Sequence, residues 1–510
     1  MKTTFTISQK MSISYLRIIR YSFFLCFLFP IQSVAAYSYH YDQAVQEIYF
    51  NLLDLDFAKA NTQLARLKKN QSDNLAYYHL QNYYDFFQVY TKDNAQVYKK
   101  LKINRDQYLK ELAKGPKDSP WHLFSQADVH LQWALLRFRF GDYWAGFLAV
   151  KKAYQLLEKN QKRFPDFAPN YKDLGILHAM VGTVPDQYQW GLKMLTGLKG
   201  TVKQGKAEMR KALADQDPTT SFLQKENRIL YCFLLLYLDK DPSEAWQLIE
   251  EQAAKDPPSL LVAFTYASVA SRSGHNDQVI KILEQQEEKA TWQAFPFLEF
   301  VLGNARLRQL DTKAGPHFER FLKKYQGQND LKATHLRLAW CALLKKDKNK
   351  YLSHLKSVQN IGSKNNGRDK DALHLADLSF IPNLQLIKAR LLFDGGYYGL
   401  AQQELNKLKN YNLNKVYETL EFSYRQARVA HRLNKDSRAI QYYQKVLIEG
   451  ADQPYYFACN ATLQLGIIYE NKGQKNKAAE YYQQCLKLKP DIYKNSLHLS
   501  AKAGLQRLEK

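Results

Sequence analysis

Three evenly spaced alanines constrain this chain more than any other feature. Ala401, Ala439 and Ala478 stand 38 and 39 residues apart, and each has a small residue twelve positions before it: Ala389, Ala427 and Gly466. Gly395-Gly396 and Gly473 fall between members of two of these pairs. A small residue on each of two successive helices lets their backbones approach closely, and glycine turns the chain between them. One such hairpin cannot bury its apolar face alone, so copies must stack. The period therefore predicts an array of helical hairpins.

The last unit is the most complete. In C-N-A-T-L-Q-L-G-I-I-Y-E-N-K-G-Q-K-N-K-A-A-E-Y-Y-Q-Q-C-L-K-L-K-P, residues 459–490, Leu465-Gly466 precedes Tyr469, Gly473 ends a helix, Ala478 and Tyr482 follow, and Pro490 closes the unit. This resembles the tetratricopeptide repeat, a helix–turn–helix of about 34 residues. Weaker copies run backwards through Y-C-F-L-L-L-Y-L at 231–238, L-V-A-F-T-Y-A-S-V-A at 261–270, F-V-L-G-N-A at 300–305 and L-R-L-A-W-C-A-L-L at 336–344. Paired helices are also expected at 40–54 with 56–69, and at 125–140 with 143–160. The expected fold is an all-α, right-handed solenoid of helical hairpins with a glycine-rich insertion near 178–206. The expected divisions are a leader at 1–36, degenerate repeats at 37–215 and 216–362, a polar linker at 363–375, and regular repeats at 376–510.

The leader reads as a secretory signal. Lys2, Lys10, Arg17 and Arg20 precede the apolar run Y-S-F-F-L-C-F-L-F-P-I, which is too short to span a bilayer, and S-V-A-A ends at Ala36. Export to the periplasm or outer membrane is the expectation, with secretion open. The formal charge of +24 falls to about +20 without the leader. In an exported protein, that excess points to acidic protein segments or anionic membrane surfaces and away from nucleic acid; a lysine-rich solvated surface explains it equally. Cys232, Cys341, Cys459 and Cys485 remain, too few for a disulfide scaffold. Cys459 and Cys485 fall at the same end of one hairpin, so they are either a disulfide or two packed thiols.

G-T-V-K-Q-G-K-A, residues 200–207, imitates a phosphate-binding loop, but Ala207 stands where a Mg²⁺-binding hydroxyl is needed, and no buried strand precedes it. The order around it is L-G at 174–175, a valine–proline turn at 184–185, a short apolar helix with Trp190, Leu192, Met194 and Leu195, then L-K-G before Gly205. This stretch of about fifty residues resembles the inclusion-body-clearance family of tetratricopeptide proteins. The resemblance implies a helical-repeat protein without a catalytic centre, here as a bacterial envelope relative.

No H-E-x-x-H or G-x-S-x-G occurs, and no cofactor or metal is expected. His122 and His130 lie two turns apart with Asp128 between them but lack a third ligand; Glu250-Glu251 and Glu287-Glu288 read as solvated. The first helix of each C-terminal pair is expected to line a concave groove with Arg390, Tyr424, Arg425, Arg428, Arg432, Asn460 and Asn471. Arg425, Arg428 and Arg432 share a helix face and could hold carboxylates, unless Glu421 and its neighbours already neutralise them. The expected function is a non-catalytic adaptor binding a protein partner in the envelope. The alternative is an accessory protein on a membrane or glycan surface.

Overall fold

One turn, used eight times, sets the architecture. In the computed structural model, Leu55, Gly141, Gly274, Leu310, Lys346, Gly396, Asn434 and Gly473 adopt positive φ between consecutive helices. At each, the next N–H reaches back to the carbonyl five residues earlier: Asp56 to Asn51, Asp142 to Arg137, His275 to Ala270, Asp311 to Arg306, Asp347 to Ala342, Tyr397 to Leu392, Lys435 to Ala430 and Gln474 to Tyr469. This is a Schellman turn, which satisfies the last carbonyls of one helix while reversing the chain. From Gly274 the turns fall 36, 36, 50, 38 and 39 residues apart. The long interval holds the extra helix Gly367–Ala376, capped by Asn366, inside the stretch read as a polar linker.

The structure describes residues 37–508 except 182–189, 191–196, 240, 256–257, 379, 409–412 and 414. Among these the fold is all-α, with one isolated β-bridge between Ser38 and Asn74. No described helix is long and apolar enough to cross a membrane. The apolar helix with Leu192, Met194 and Leu195 falls outside the described residues, as does the leader.

Repeat-defining residues occupy the places their size demands. Ala401, Ala439, Leu465, Ala478 and Tyr482 are fully buried, and Gly466 and Pro490 are buried with them. A Cβ on Gly466 would sit 2.5 Å from the Tyr482 ring, and one on Gly504 would meet the ring's other edge at 2.5 Å. Tyr482 therefore fills the space between helix Tyr456–Asn471 and helix Lys494–Leu508, and only glycine leaves room for it. Tyr469 stacks on Tyr481 instead, with centroids 5.4 Å apart. Cys459 and Cys485 are free, buried thiols whose sulfurs lie 3.6 Å apart.

Two contacts join distant parts of the array. Asp93, itself in the left-handed region, accepts from Arg139, from Tyr325 and from Asn329. The turns at Gly274 and Gly396 touch, where a Cβ on Gly396 would collide with the Gly274 carbonyl. Arg272 of one hairpin and Arg432 of another line one hollow beside this second contact.

The phosphate-loop imitation has a packing explanation. Gly205 lies on helix Val202–Leu213, capped by Thr201, and crosses Gly175 of helix Pro169–Val181 so closely that a Cβ would strike the Gly175 carbonyl. Lys206 is bound by Asp239 at 2.5 Å and Glu244 at 2.7 Å. The glycines serve a helix crossing and the lysine an ion-pair network.

Candidate functional site: an arginine-lined concave groove

The groove is built where the first helices of successive hairpins face inward. Arg390 comes from helix Leu384–Asp394, Tyr424, Arg425, Arg428 and Arg432 from Val416–Arg432, and Asn460 from Tyr456–Asn471. Arg390, Tyr424, Arg425, Arg428 and Asn460 surround one hollow of about 250 Å³, together with Asp394, Tyr456 and Tyr493. Arg428 and Arg432 also line an adjoining hollow of about 740 Å³, shared with Arg272, Arg308, Tyr237 and Tyr398. Asp394 and Arg428 belong to both, so the two are continuous. Asn471 is not part of it; it ends its helix in solvent.

The side chains differ in how free they are. Arg425 is 2 % exposed and donates to Glu421 at 2.9 Å, so this member of the row is neutralised from within its own helix. Tyr424 is fully buried and serves as core. Arg390 donates to Asp371 at 3.1 Å and lies over the Trp340 ring. Arg428 has no carboxylate in bonding range among the described residues; it lies over Phe393 and donates to the Tyr424 hydroxyl at 3.3 Å. Arg432 is exposed over Tyr398.

Sequence reasoning missed three of the seven arginines. Arg272 enters from the hairpin that the Gly274–Gly396 contact brings alongside, Arg308 from the next hairpin in the chain, and Arg337 stands behind Arg390. Burial lowers the Arg337 guanidinium to about 10, with Arg390 adding to the effect. Burial also lowers Arg308, and Arg272 adds while Asp394 opposes. Burial is the main cause in both cases, and the excess of positive charge is read from the groups themselves: seven arginines stand around the two hollows against Asp371, Asp394 and Glu421. No periodicity within one repeat could have announced this, because the residues meet only through the superhelical turn.

Ligating side chains also converge elsewhere. Glu287, Glu299 and His317 form one group, and Asp239, Asp241 and Glu244 another. Both are already engaged by cations: Arg320 and Lys324 at the first, Lys206 and Arg210 at the second. Glu287, read as solvated, is thus part of a partly buried network. Asp128 likewise binds His79 and Lys172.

Residues 461–492 match the tetratricopeptide repeat model. That segment is the hairpin carrying Leu465, Gly466, Ala478 and Tyr482. None of the curated proteins matches the chain. Among solved structures, a human IFIT1 dimer with m7Gppp-AAAA is similar at 15 % identity, covering 88 % of this chain and 90 % of that one, with a TM-score of 0.31. The TPR domain of P58(IPK) aligns at 14 % identity over 81 % of this chain and 96 % of that one, TM-score 0.22. The APC/C hetero-tetramer Cut9–Hcn1 aligns at 10 % identity over 91 % and 95 %, TM-score 0.23. These scores are too low to bear on what this chain does.

Proposed function

We propose that the chain is an exported, non-catalytic adaptor that holds an acidic segment of a partner protein in the arginine-lined groove. The observation that carries this reading is the excess of guanidinium over carboxylate in a continuous concave hollow, with Arg428 and Arg432 unpaired by any acid among the described residues. Guanidinium suits the task because its planar fork can take a carboxylate in bidentate fashion. The flanking Tyr398 and Tyr237 rings offer apolar contact beside each charge. The repeat at 461–492 supports protein binding as the general role, since stacked hairpins present extended concave surfaces. The basic, then apolar, then small-residue order of the first 36 residues supports export.

A second reading rests on a different surface. Trp144 is 60 % exposed and stacks on Trp190, itself 40 % exposed, beside exposed Leu148. Indole rings favour the membrane–water boundary, so this patch supports association with an anionic bilayer.

One comparison separates the two. A fluorescent acidic peptide should saturate the natural chain, and Arg428→Glu with Arg432→Glu should weaken it by about tenfold or more. Trp144→Ser should leave that binding unchanged. Anionic vesicles that bind the natural chain and the arginine variant alike, and lose the Trp144 variant, would move the second reading ahead. Cell fractionation with N-terminal sequencing tests export, the expected mature start being Tyr37.

A further inference from the structure

The N-terminal half holds a hollow of the opposite character. Helices Ala76–Lys92, Trp121–Arg139, Pro169–Val181, Gln224–Leu234 and Leu260–Ser273 face one another around a cavity of about 260 Å³. Its walls are apolar, with Phe86, Leu131, Leu177, Ile229, Phe233 and Phe264 among them. Its polar groups are Asp128, Asp173 and Glu226, with Gln132 and Thr265 beside them. The hollow is large enough for a short alkyl chain and much larger than one water at ~30 Å³.

The acids at the cavity are not balanced. Lys172 is fully buried and supplies one ammonium to three carboxyls: Asp128 at 3.4 Å, Asp173 at 3.4 Å and Glu226 at 3.2 Å. Asp128 is further held by His79 at 2.9 Å, and Glu226 by the hydroxyls of Tyr49 at 2.8 Å and Tyr83 at 3.0 Å. Asp173 has no such support. It is 4 % exposed, lines the cavity, and its Oδ2 has no hydrogen-bond partner among the described residues. Burial pushes this carboxyl well above the usual range; Lys172 opposes the effect, and the charges of Asp128 and Glu226 add to it. A buried carboxyl oxygen left unmatched is costly, and the cost disappears when a hydrogen-bonding partner arrives.

The rim is apolar as well. Leu135 is 50 % exposed and Met180 39 % exposed, and both line the hollow. An apolar lip over an apolar wall with a carboxyl at depth describes a site for a molecule with a tail and a cationic end.

We propose that this hollow binds a single-chain amphiphile bearing a terminal ammonium, with the alkyl tail against the phenylalanine and leucine walls and the ammonium at Asp173. The charge pattern selects the head group. An anionic head would face three carboxyls against one lysine, and a phosphate-bearing lipid is excluded on the same ground. An ammonium would offset the neighbouring carboxylates and let Asp173 ionise, whereas a neutral alcohol can only hydrogen-bond to it, so the alcohol ranks between the two.

The test uses the full chain and three probes of equal length: octylammonium, octanol and octanoate, titrated by calorimetry below their micelle concentrations. The expected result is one octylammonium per chain, bound about tenfold or more tightly than octanoate, with octanol between. Asp173→Asn, which keeps the side-chain shape, should remove the preference for the ammonium while retaining octanol. Leu177→Trp should fill the cavity and abolish all three, and Ile229→Phe serves if that chain does not recover its helical circular dichroism. Octanoate binding as tightly as octylammonium would overturn the proposal. So would an unchanged preference in Asp173→Asn, or non-saturating uptake that ignores the cavity-filling change.

Discussion

The two hollows are made by the same hairpin architecture and carry opposite charge. In the N-terminal half, acids at an apolar cavity outnumber the one lysine among them. In the C-terminal half, arginines around an open groove outnumber the acids. The difference lies in what each region does with its excess. Lys172 and Asp128 are buried in a network of ion pairs, whereas Arg428 and Arg432 lie on aromatic rings with no carboxylate in bonding range among the described residues. The fold therefore does not decide the chemistry. It decides only which helices face inward, and the residues on those faces do the rest.

The sharpest way to break this comparison is to remove a cation from each side. Burial alone would push the Lys172 ammonium down, but Asp128, Asp173 and Glu226 outweigh it and hold it charged, well above its usual range. Lys172→Met should leave Asp128, Asp173 and Glu226 without their shared ammonium and cost about 3–5 kcal/mol, read by urea unfolding. The matching change is Arg425→Met, which orphans Glu421, also buried. Arg390 stands close enough to attract Glu421, so the loss there should stay under about 2 kcal/mol. Equal costs for the two would mean that the groove has no positive charge to spare, and the proposed partner class would fall with it.

The sequence announced these regions unequally, and the reason is physical. The repeat was legible where small residues are forced by backbone approach, at Ala401, Ala439, Gly466 and Ala478. Earlier turns hid because Leu55, Leu310 and Lys346 occupy the left-handed position that glycine usually marks. The helix at Gly367–Ala376 hid inside a polar stretch because its cap, Asn366, looks like a loop residue. At the site, Arg428 and Arg432 were legible from helical spacing, whereas Arg272, Arg308 and Arg337 were not. Their contribution depends on a contact between turns more than a hundred residues apart. The cavity at Asp173 was invisible for a related reason. Its walls read as ordinary core positions, and periodicity cannot say whether a core is filled.

A third charged cluster gathers at Glu299, and acid should reveal it. Glu299 is 2 % exposed and accepts from His317 at 2.9 Å, from Arg320 at 3.0 Å and from Trp292 at 3.1 Å. Burial would raise its carboxyl, but the hydrogen bonds of His317, Arg320 and Trp292 prevail and lower it to about 2. A carboxyl depressed in the folded state contributes stability that is present above the ordinary value near ~4.3 and is lost as pH falls toward 2. Thermal midpoints should therefore drop across that window, and Glu299→Gln should flatten the drop while lowering stability at neutral pH. Asp173 works in the opposite sense, since its raised carboxyl gives no stability that acid could remove. A pH profile unaffected by Glu299→Gln would place the acid sensitivity elsewhere.

The smallest effect tests the turn that generates both halves. Lys346 is exposed and sits at φ +59°, where a side chain crowds its own carbonyl. Its ammonium has no role in the turn itself, which is held by the Asp347 N–H to the Ala342 carbonyl at 2.9 Å. Lys346→Gly removes the crowding at the cost of a more flexible unfolded chain, and the balance should be a gain of about 0.5–1 kcal/mol in urea unfolding. The same change at Asn434 should give less, because asparagine already tolerates the left-handed region. If Lys346→Gly destabilises the protein, the turn is not what limits the hairpin at 331–360. Stability would then come from side-chain packing between repeats, and the common turn would follow from that packing rather than direct it.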